Sequence, residues 1–583
     1  MDGSRLEETT IAETLLRSLK SHGIDHVFAN AGTDFAPIIE TLVRVGADAD
    51  FVPKFITVPH ENLAVSMAHG YYLATGRPVA AMVHVTVGTG NTVCALMNAC
   101  RDQVPLLLMA GRTPHTEFGH AASRSFPIHW GQENFDQAGM VREYTKWDYE
   151  LRSGQHPDAI VSRALEVAFA DARGPVYLTL PREVLADADQ TSPRQVANQT
   201  RRPAGAPTTA QARPQPDADA VATAAEWIAS AKMPMIVTTH LGRDREAVDV
   251  LASLSESHAL PVAQSGASCV NLPASHPMNL GQAGGGLLPE SDCIVVVDSE
   301  VPWFPIHFEP DADTRVIHLG VDPIYQRYPI RSFPTDLAIP GNPRRALELL
   351  AVALEQKEMD AGLVEARQKM IADFQSARQE QTQANLETAR ESKPISYAYL
   401  GACIREVLPA GGVVITELGV STDQLALEEP GSIIGVGLGG GLGFGLGASL
   451  GAKLAVKDRV VIATVGDGSY MFGNPTPFHF VAQAAGLPVL TIVCNNCRWH
   501  AVDASTRGVY PDGAAAHADE MPLVDLKPSP EFTRVAEASN AFARRVDDPA
   551  DLKPALAEAL QAVQSGQQAL LDVRTERGER SKG

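Results

Sequence analysis

Short apolar segments that alternate with amphipathic helical segments constrain this chain more than any other feature. In three successive blocks, such segments recur between stretches long enough for a helix. Near-continuous apolar strands are typical of parallel sheets that are covered by helices on both faces. We therefore predict an α/β fold with three doubly wound parallel-sheet domains. The clearest predicted strands are residues 79–85, 106–110, 176–180, 235–238, 293–297, 315–319, 413–416, 460–465, 489–494 and 569–573.

Changes in composition along the chain set the predicted domain boundaries. Residues 187–217 are rich in Pro, Ala, Gln, Thr and Arg and lack an apolar period, so we predict a linker there. Residues 355–394 are charged and rich in Gln, which predicts an exposed connecting helix. The three predicted domains are therefore residues 1–186, 218–354 and 395–583, and the charged residues 576–583 are predicted to be frayed.

The bulk properties exclude several classes of protein. The formal charge of −21 disfavours a nucleic-acid partner, because nucleic-acid binders normally carry a basic surface. No run approaches the roughly 18 apolar residues of a membrane helix, and the N-terminus is polar and acidic, so we predict a cytoplasmic protein without a membrane partner. The seven cysteines are scattered, which argues against a disulfide framework. Cys494 and Cys497 have CxxC spacing, but a zinc site would need a second such pair.

Polar residues follow two apolar strands of the third block. The motif Gly-Asp-Gly-Ser, residues 466–469, follows one strand, and Asn496 follows the next. Because adjacent parallel strands end at the same edge of a sheet, Asp467 and Asn496 should converge. A carboxylate and an amide oxygen, with a backbone carbonyl and phosphate oxygens, would suit Mg²⁺. Gly468 permits a tight turn that brings N–H groups to a phosphate, and Ser469 can donate from the start of the next helix.

The combined pattern resembles the signature of the thiamine diphosphate enzymes. It consists of an apolar strand, Gly-Asp-Gly, a 30-residue step from Gly466 to Asn496, and a second apolar strand that ends in Asn-Asn. The resemblance implies that the metal ligands are Asp467, the side chain of Asn496 and the backbone carbonyl of Arg498.

A glycine-rich stretch, residues 435–447, allows two interpretations. The glycines Gly435, Gly437 and Gly440 nominally match a dinucleotide fingerprint, which leaves an NAD-dependent oxidoreductase as an alternative. That fingerprint requires a strong preceding strand and an acidic residue after the next one, and this sequence fits both requirements poorly. In the thiamine diphosphate family a similar segment contacts the aminopyrimidine ring. The resemblance implies that the Gly440 carbonyl accepts from the 4′-amino group and that Leu442 enforces the bent cofactor shape.

Glu61 opens a predicted helix directly after a strand of the first block. The next two helical turns are mostly small and apolar. Thiamine chemistry needs a carboxyl group that hydrogen-bonds the ring nitrogen N1′, and burial raises a carboxyl pKa so that the protonated form becomes accessible. A solvated glutamate that favours the helix dipole is the simpler alternative. We predict that Glu61 is the catalytic carboxyl.

With Glu61 included, the resemblance covers nearly the whole chain. It points to the superfamily of acetolactate synthase, pyruvate decarboxylase and benzoylformate decarboxylase, and two segments look most like the last of these. Residues 27–33, Val-Phe-Ala-Asn-Ala-Gly-Thr, are similar to its Phe-Gly-Asn-Pro-Gly-Ser loop, which places Thr33 at an active-site serine. Residues 84–91 are similar to its His-x-x-x-Gly-Thr-Gly-Asn loop, which places His84 at a catalytic histidine.

The resemblance implies a reaction and leaves alternatives open. It favours non-oxidative decarboxylation of a 2-oxo acid, in which Thr33 and His84 handle the substrate carboxylate and a proton. His307 in the middle block could supply a second histidine. An acetolactate synthase-like carboligase or lyase and a non-catalytic cofactor-binding homologue remain alternatives.

The resemblance also bears on cofactors and assembly. Flavin is not expected, because the flavin-binding residues of acetolactate synthases are not recognisable in the middle block. In this family Glu61 and the Asp467 block come from different subunits. The resemblance therefore implies a homodimer or homotetramer with active sites between subunits.

Overall fold

The fold consists of parallel sheets, as the sequence predicts. The computed structural model describes residues 9–190, 214–282, 286–518 and 520–577. Over these ranges, eighteen strands form three sheets of six strands, and every assigned strand pair is parallel. The predicted fold class is therefore confirmed. Residues 191–213 of the predicted linker and residues 578–583 of the predicted frayed end lie outside the described residues.

The first sheet has the strand order β2-β1-β3-β4-β6-β5. Its strands are β1 His26–Ala29, β2 Lys54–Thr57, β3 Val79–Val83, β4 Leu106–Arg112, β5 Asp148–Glu150 and β6 Val176–Pro181. The helices around it are Ile11–Ser21, Ala36–Val45, Glu61–Thr75, Val85–Asn91, Val93–Arg101, Ile128–Gly131, Pro157–Phe169 and Arg182–Ala186, with 3-10 turns at Thr33–Phe35, Ala138–Met140 and Arg142–Tyr144.

One predicted boundary in this sheet is wrong. The strand predicted for residues 79–85 ends at Val83, and the segment after His84 is a helix, Val85–Asn91, rather than a loop. The carbonyl of His84 accepts the first hydrogen bond of that helix, from the N–H of Gly88 at 2.7 Å. A Cβ atom at Gly88 would lie 3.0 Å from the Cβ of Val83, so glycine allows the helix to turn back closely over the strand end.

The central sheet has the strand order β12-β11-β10-β7-β8-β9. Its strands are β7 Pro234–Thr238, β8 Val262–Gln264, β9 Asn279–Gln282, β10 Cys293–Val297, β11 Arg315–Gly320 and β12 Leu337–Pro340. The chain first moves outward from β7 to β9 and then returns to the other side of β7, which makes this sheet doubly wound. Its helices are Ala218–Ser230, Arg245–His258 and Pro343–Glu355, with 3-10 turns at Leu241–Arg243 and Leu288–Glu290.

The third sheet, with the order β14-β13-β15-β16-β18-β17, repeats the strand order of the first. Its strands are β13 Val413–Glu417, β14 Ile433–Gly435, β15 Val461–Gly466, β16 Leu490–Asn495, β17 Phe542–Val546 and β18 Ala569–Arg574. The helices of this part of the chain are Tyr397–Val407, Thr422–Leu425, Phe444–Ala455, Asp467–Phe472, Pro475–Ala484, His500–Val509, Phe532–Glu537 and Pro549–Gln564, with a 3-10 turn at Ala514–His517.

A long helix, Ala361–Ala389, connects the central and third sheets along the chain. Asp360 caps it by accepting from two N–H groups of its first turn. Most of its side chains are exposed, as the composition predicts, but Arg367 and Ile371 are buried. None of the described helices has the length and apolar character that crossing a membrane requires.

The described residues divide into two compact units. The first unit contains the first sheet together with residues 436–458 and 469–489 of the third block, and the second unit contains the central and third sheets. In the first unit, the helices Glu61–Thr75 and Phe444–Ala455 pack with their backbones close together. A methyl group at Gly451 would overlap the carbonyl oxygen of Met67, and one at Gly70 would overlap the backbone of Ala448. The small residues therefore permit this contact.

Candidate functional site

Glu61 lies at the carboxyl edge of the first sheet. It is the first residue of its helix, which begins four residues after the end of β2. The residue is only 9% exposed. Its carboxylate accepts from the amide of Asn30 at 2.9 Å and from the amide of Asn91 at 2.5 Å. Asn30, which follows β1, and Asn91, the last residue of the helix Val85–Asn91, therefore fix the carboxyl group in place.

The glycine-rich segment, from Val436 onward, lies beside Glu61 within the first unit. The amide of Asn62 donates to the carbonyl of Leu442 at 3.2 Å. The buried side chain of Asn98 donates to the carbonyl of Gly441 at 2.7 Å and accepts from its N–H at 2.9 Å. Gly440 has a φ of +67°, in the left-handed region that favours glycine. Two asparagines thus hold the backbone on which the predicted aminopyrimidine contacts depend.

His84 forms a charged pair with Asp34 at the same sheet edge. His84 directly follows β3, and Asp34 lies in the 3-10 turn after β1, the neighbouring strand. The Nδ1 atom of His84 hydrogen-bonds the carboxylate of Asp34. Burial disfavours the charged imidazolium, but the hydrogen bond and charge of Asp34 outweigh it and raise the pKa of His84. Because of this pair, His84 keeps its proton to a higher pH than an isolated histidine would.

Glycines make room for this pair. A Cβ atom at Gly32 would overlap the imidazole ring of His84. A Cβ atom at Gly111, in β4, would overlap the carboxylate of Asp34. Both positions therefore need glycine for a steric reason.

Thr33 contacts a second histidine. Its Oγ1 atom lies 3.2 Å from the Nε2 atom of His129, which is 2% exposed. The backbone carbonyl of Thr33 accepts from Arg182 at 3.3 Å. Arg182 also donates to the carbonyls of Ala122 and Ser123, so it fastens the segment that carries His129.

Asp467 and Asn496 converge at the carboxyl edge of the third sheet, in the second unit. Gly466 pairs with Cys494 in the register of β15 and β16, so the two residues follow neighbouring strand ends. The carboxylate of Asp467 accepts from the N–H groups of Gly468 and Cys497. Burial raises the pKa of Asp467 to about 6, because it disfavours the charged carboxylate.

The turn after Asn496 is held by a buried arginine. The N–H of Arg498 donates to the Oδ1 atom of Asn496 at 3.0 Å. Its guanidinium pairs with Asp503 and with Asp525, both at 2.7 Å. The ring of Trp499 lies against Gly468, where a Cβ atom would overlap it. The two turns of this edge are therefore packed against each other.

The chemistry of this edge fits a divalent cation. Asp467 is a buried carboxylate, and a cation beside it would favour the charged form that burial disfavours. Asn496 and the backbone at Arg498 carry neutral oxygen atoms of the kind that Mg²⁺ accepts as ligands. No group of three His, Cys, Asp or Glu that could hold a metal occurs in the described ranges, and the predicted site needs none, since it contains one acidic residue.

The other predicted residues occupy different positions. Ser469 is buried in the helix Asp467–Phe472. His307 lies on an exposed turn, and its ring packs against Phe304. No disulfide joins any of the seven cysteines, all of which lie in the described ranges.

Sequence reasoning missed several residues of the first sheet edge. Asn30, Asp34 and Asn91 lie within or next to segments that were already singled out, so their proximity to Thr33 and His84 was a usable signal. His129 gave no such signal, because it lies in a helix of only four residues, Ile128–Gly131, in a segment without a motif.

Comparison with protein families assigns all three domains. Residues 9–140 match the model described as "Thiamine pyrophosphate enzyme, N-terminal TPP binding domain". Residues 221–350 match the central domain and residues 416–573 the C-terminal TPP binding domain of the same enzymes.

Individual relatives agree with this assignment. The chain is 28% identical over 366 residues to a probable 2-ketoarginine decarboxylase of Pseudomonas aeruginosa, a match that covers 61% of this chain and 60% of that protein. It is 24% identical over 586 residues to the acetolactate synthase isozyme 3 large subunit of Escherichia coli, covering 97% of this chain and 95% of the relative.

A solved structure shares the fold. The thiamine diphosphate-dependent 4-hydroxybenzoylformate decarboxylase of Rhodococcus jostii superposes with a TM-score of 0.77 at 23% identity, over 98% of this chain and 100% of that one. The predicted resemblance is confirmed, and so is the enzyme class. The chain belongs to the thiamine pyrophosphate enzyme family and has its thiamine diphosphate-binding domains.

Proposed function

We propose that this enzyme decarboxylates a 2-oxo acid non-oxidatively, with thiamine diphosphate and Mg²⁺. The arrangement at the first sheet edge carries the proposal. Glu61 is fixed by two amides beside the glycine-rich segment, and the carboxylate of Asp34 favours the charged form of His84 at the same edge. The edge therefore combines a buried carboxyl for the cofactor with a proton donor for the substrate.

Each predicted residue has a separate role in this proposal. Glu61 would hold the aminopyrimidine ring, and Gly440 and Leu442 would shape its binding surface. When bound, thiamine diphosphate supplies the nucleophilic carbon and the electron sink of the reaction. His84 would donate its proton to the substrate oxygen that becomes negatively charged, and Thr33 would bind the substrate carboxylate.

The turns that follow β15 and β16 would supply the proposed diphosphate site. Asp467, Asn496 and the carbonyl of Arg498 would hold Mg²⁺. Gly468 and Ser469 would approach the diphosphate from the start of their helix. Because that helix has only six residues, the metal and not the helix dipole would provide most of the attraction for the diphosphate.

The proposal also covers the oligomeric state, the cellular location and the domain boundaries. We propose a homodimer or homotetramer in the cytoplasm, with active sites between subunits. The proposed domains are residues 1–186, 218–354 and 395–583, joined by the linker 187–217 and the helical connection 355–394. In this proposal His307 would supply the second histidine of a substrate site.

One alternative has an observation in its favour. The match to an acetolactate synthase covers almost the whole chain, so carboligation of two 2-oxo acids remains the second candidate. The products distinguish the two reactions, because decarboxylation releases an aldehyde whereas carboligation joins two substrates.

The test combines a substrate screen with a variant of Glu61. We expect the purified protein, with thiamine diphosphate and Mg²⁺, to release carbon dioxide and an aldehyde from at least one 2-oxo acid between pyruvate and phenylglyoxylate. Glu61→Gln should lose that activity by at least about 100-fold, the range of a lost acid–base group, while titration still detects bound cofactor. Glu40→Gln, on an exposed position of the helix Ala36–Val45, is the matched control.

Three results would contradict the proposal. Full activity of Glu61→Gln would remove the role of that carboxyl. Binding of NAD without binding of thiamine diphosphate would favour the oxidoreductase. A joined hydroxy-oxo acid as the main product would favour the carboligase.

A further inference from the structure

His129 contacts the proposed carboxylate-binding residue, and its own hydrogen bonds decide its tautomer. Its Nδ1 atom lies 3.1 Å from the backbone N–H of Ser125. A backbone N–H can only donate, so Nδ1 must accept and carries no proton. The ring proton of the neutral histidine is therefore on Nε2, the atom that faces the Oγ1 of Thr33 at 3.2 Å. His129 is thus the donor in that hydrogen bond.

The surroundings keep His129 neutral. Burial lowers the pKa of His129, and neighbouring positive charges lower it further. Those charges are on Arg182, Arg124 and His84, while Asp34 opposes them. A second proton on the ring would also place an N–H against the N–H of Ser125. The two histidines of this edge therefore differ: His84 favours the charged form and His129 the neutral one.

The hydrogen bond from His129 determines where the hydroxyl proton of Thr33 can point. Once its oxygen accepts from His129, its own proton is directed elsewhere, and no other partner of this hydroxyl occurs in the described part of the chain. The residue is partly exposed, next to Asp34 and the charged His84. The hydroxyl can therefore act as a donor toward a bound molecule.

We propose that His129 is a positioning residue that turns the Thr33 hydroxyl into a hydrogen-bond donor for the carboxylate of the substrate. This inference rests on the proposed function and extends it, because it assigns the recognition of the carboxylate to a pair of residues. Arg182 supports the pair by joining the carbonyl of Thr33 to the segment that carries His129. In this arrangement the Thr33 hydroxyl donates the hydrogen bond to the substrate carboxylate. His129 therefore needs no direct contact with the substrate.

The test measures binding of an unreactive carboxylate. Oxamate has a carboxylate next to an amide carbonyl, and its methyl ester lacks the charge. Both are titrated into protein loaded with thiamine diphosphate and Mg²⁺. We expect His129→Phe to weaken oxamate binding about tenfold or more, the effect of one hydrogen bond to a charged group, with little change for the ester. His129→Gln, which keeps an N–H donor, should restore most of the affinity.

Two comparisons separate positioning from a structural effect. Thr33→Val should cause a similar loss, and the double variant with His129→Phe should lose no more than either single one. His120→Phe is the matched control, because His120 lies in the same segment, accepts a backbone N–H through Nδ1, and pairs with Asp187 instead of Thr33. The affinity for thiamine diphosphate should be the same in all variants.

The outcomes distinguish this inference from the function on which it rests. Wild-type protein that binds cofactor but no oxamate would overturn the inference, whereas the substrate screen decides separately about the function. Wild-type binding with unchanged affinity in His129→Phe, or additive losses in the double variant, would overturn the inference alone. Equal weakening of oxamate and ester would also overturn it, because the carboxylate would then not be the group recognised.

Discussion

At the scale of single residues, Asp34 determines the charge of His84. The imidazole is largely buried, which by itself would favour its neutral form. The carboxylate of Asp34 is almost fully buried and reverses that preference. A buried histidine–carboxylate pair of this kind couples the proton of His84 both to catalysis and to folding.

Replacing Asp34 by Asn tests this coupling. The raised pKa of His84 means that its protonated form contributes stability below the usual pKa near 6.5, and that this stability is lost as pH rises through the folded-state value. In Asp34→Asn we expect the alkaline limb of kcat/KM to move to lower pH, and the unfolding free energy at pH 6 to fall by about 1–3 kcal/mol. The measurements are pH–rate profiles and urea unfolding at several pH values.

The control for this variant is Asp48→Asn, which removes an exposed carboxylate from the same part of the chain. It should shift neither the pH profile nor the stability by more than about 0.5 kcal/mol. An alkaline limb that stays in place in Asp34→Asn would show that His84 does not control it.

The first sheet edge shows how far single residues could be predicted. Thr33 and His84 were recognised by resemblance, and Glu61 by its place after a strand. Asp34 was missed although it follows Thr33, because its contact with His84 depends on β1 and β3 being neighbours in the sheet. His129 is brought to Thr33 by an irregular segment, whose path no local pattern specifies.

At the scale of elements, the closest contact in the first unit joins two helices rich in small residues. In Glu61–Thr75 and Phe444–Ala455, Gly70 and Gly451 lie where a methyl group would overlap the opposite backbone. Glycine normally weakens a helix interior by about 1 kcal/mol relative to alanine. Here the close backbone contact compensates for that cost.

The same substitution should therefore have opposite effects in two helices. Gly451→Ala should destabilise the protein by about 1–3 kcal/mol, because the new methyl group overlaps the Met67 carbonyl. Gly508→Ala, in the helix His500–Val509 with nothing near the new atom, should stabilise it by up to about 1 kcal/mol. Chemical unfolding of both variants measures the difference, and a stabilised Gly451→Ala would mean that the helices separate easily.

The turn after Asn496, at the third sheet edge, depends on the ion pair between Arg498 and Asp525. Asp525→Asn removes one charge of this pair and weakens the acceptor of the Met521 N–H. Leaving the guanidinium partly unpaired should cost about 3 kcal/mol and loosen the turn that carries Asn496. We expect Mg²⁺ to bind about tenfold more weakly, measured by titration calorimetry with thiamine diphosphate present.

An exposed carboxylate earlier in the chain provides the comparison for Asp525→Asn. Asp512→Asn changes the net charge equally without touching Arg498, so its Mg²⁺ affinity should match that of the wild type. Equal weakening in both variants would point to a long-range charge effect instead of a positioned turn.

Element boundaries were largely predictable, and the exception has a physical cause. All ten predicted strands end within two residues of the observed ones, and in nine of them the apolar run stops at or before the end of the observed strand. The run 79–85 continues past the end of β3, since Val85 is buried in a helix and not in a strand. Apolar character alone does not distinguish these two kinds of burial.

At the scale of the whole molecule, the number and type of sheets followed from the alternation of apolar and amphipathic segments. The division of the described residues into two units could not be predicted from this alternation. The helices Phe444–Ala455 and Pro475–Ala484 belong by sequence to the third block, yet they belong to the unit of the first sheet. A helix with small residues on several sides can pack against either sheet, and only the long-range contacts decide between them.

One segment of the first unit exposes an unusual set of apolar side chains. Between β4 and β5, five large apolar residues are exposed: Phe118, Phe126, Ile128, Trp130 and Phe135. Monomeric proteins rarely expose many such residues together, and an exposed set of this kind often marks an interface. The same segment carries His129, so association with another chain would also bear on the proposed substrate site.

We therefore expect the protein to form dimers or tetramers through a surface that includes this segment. Phe118→Asp combined with Phe135→Asp should shift the protein to smaller species in analytical ultracentrifugation, because burying the new carboxylates would be costly. Val352→Asp, at an exposed position of the helix Pro343–Glu355, is the control and should keep the wild-type mass. Circular dichroism must show that the double variant remains folded. A folded double variant with unchanged mass would place the subunit interface elsewhere.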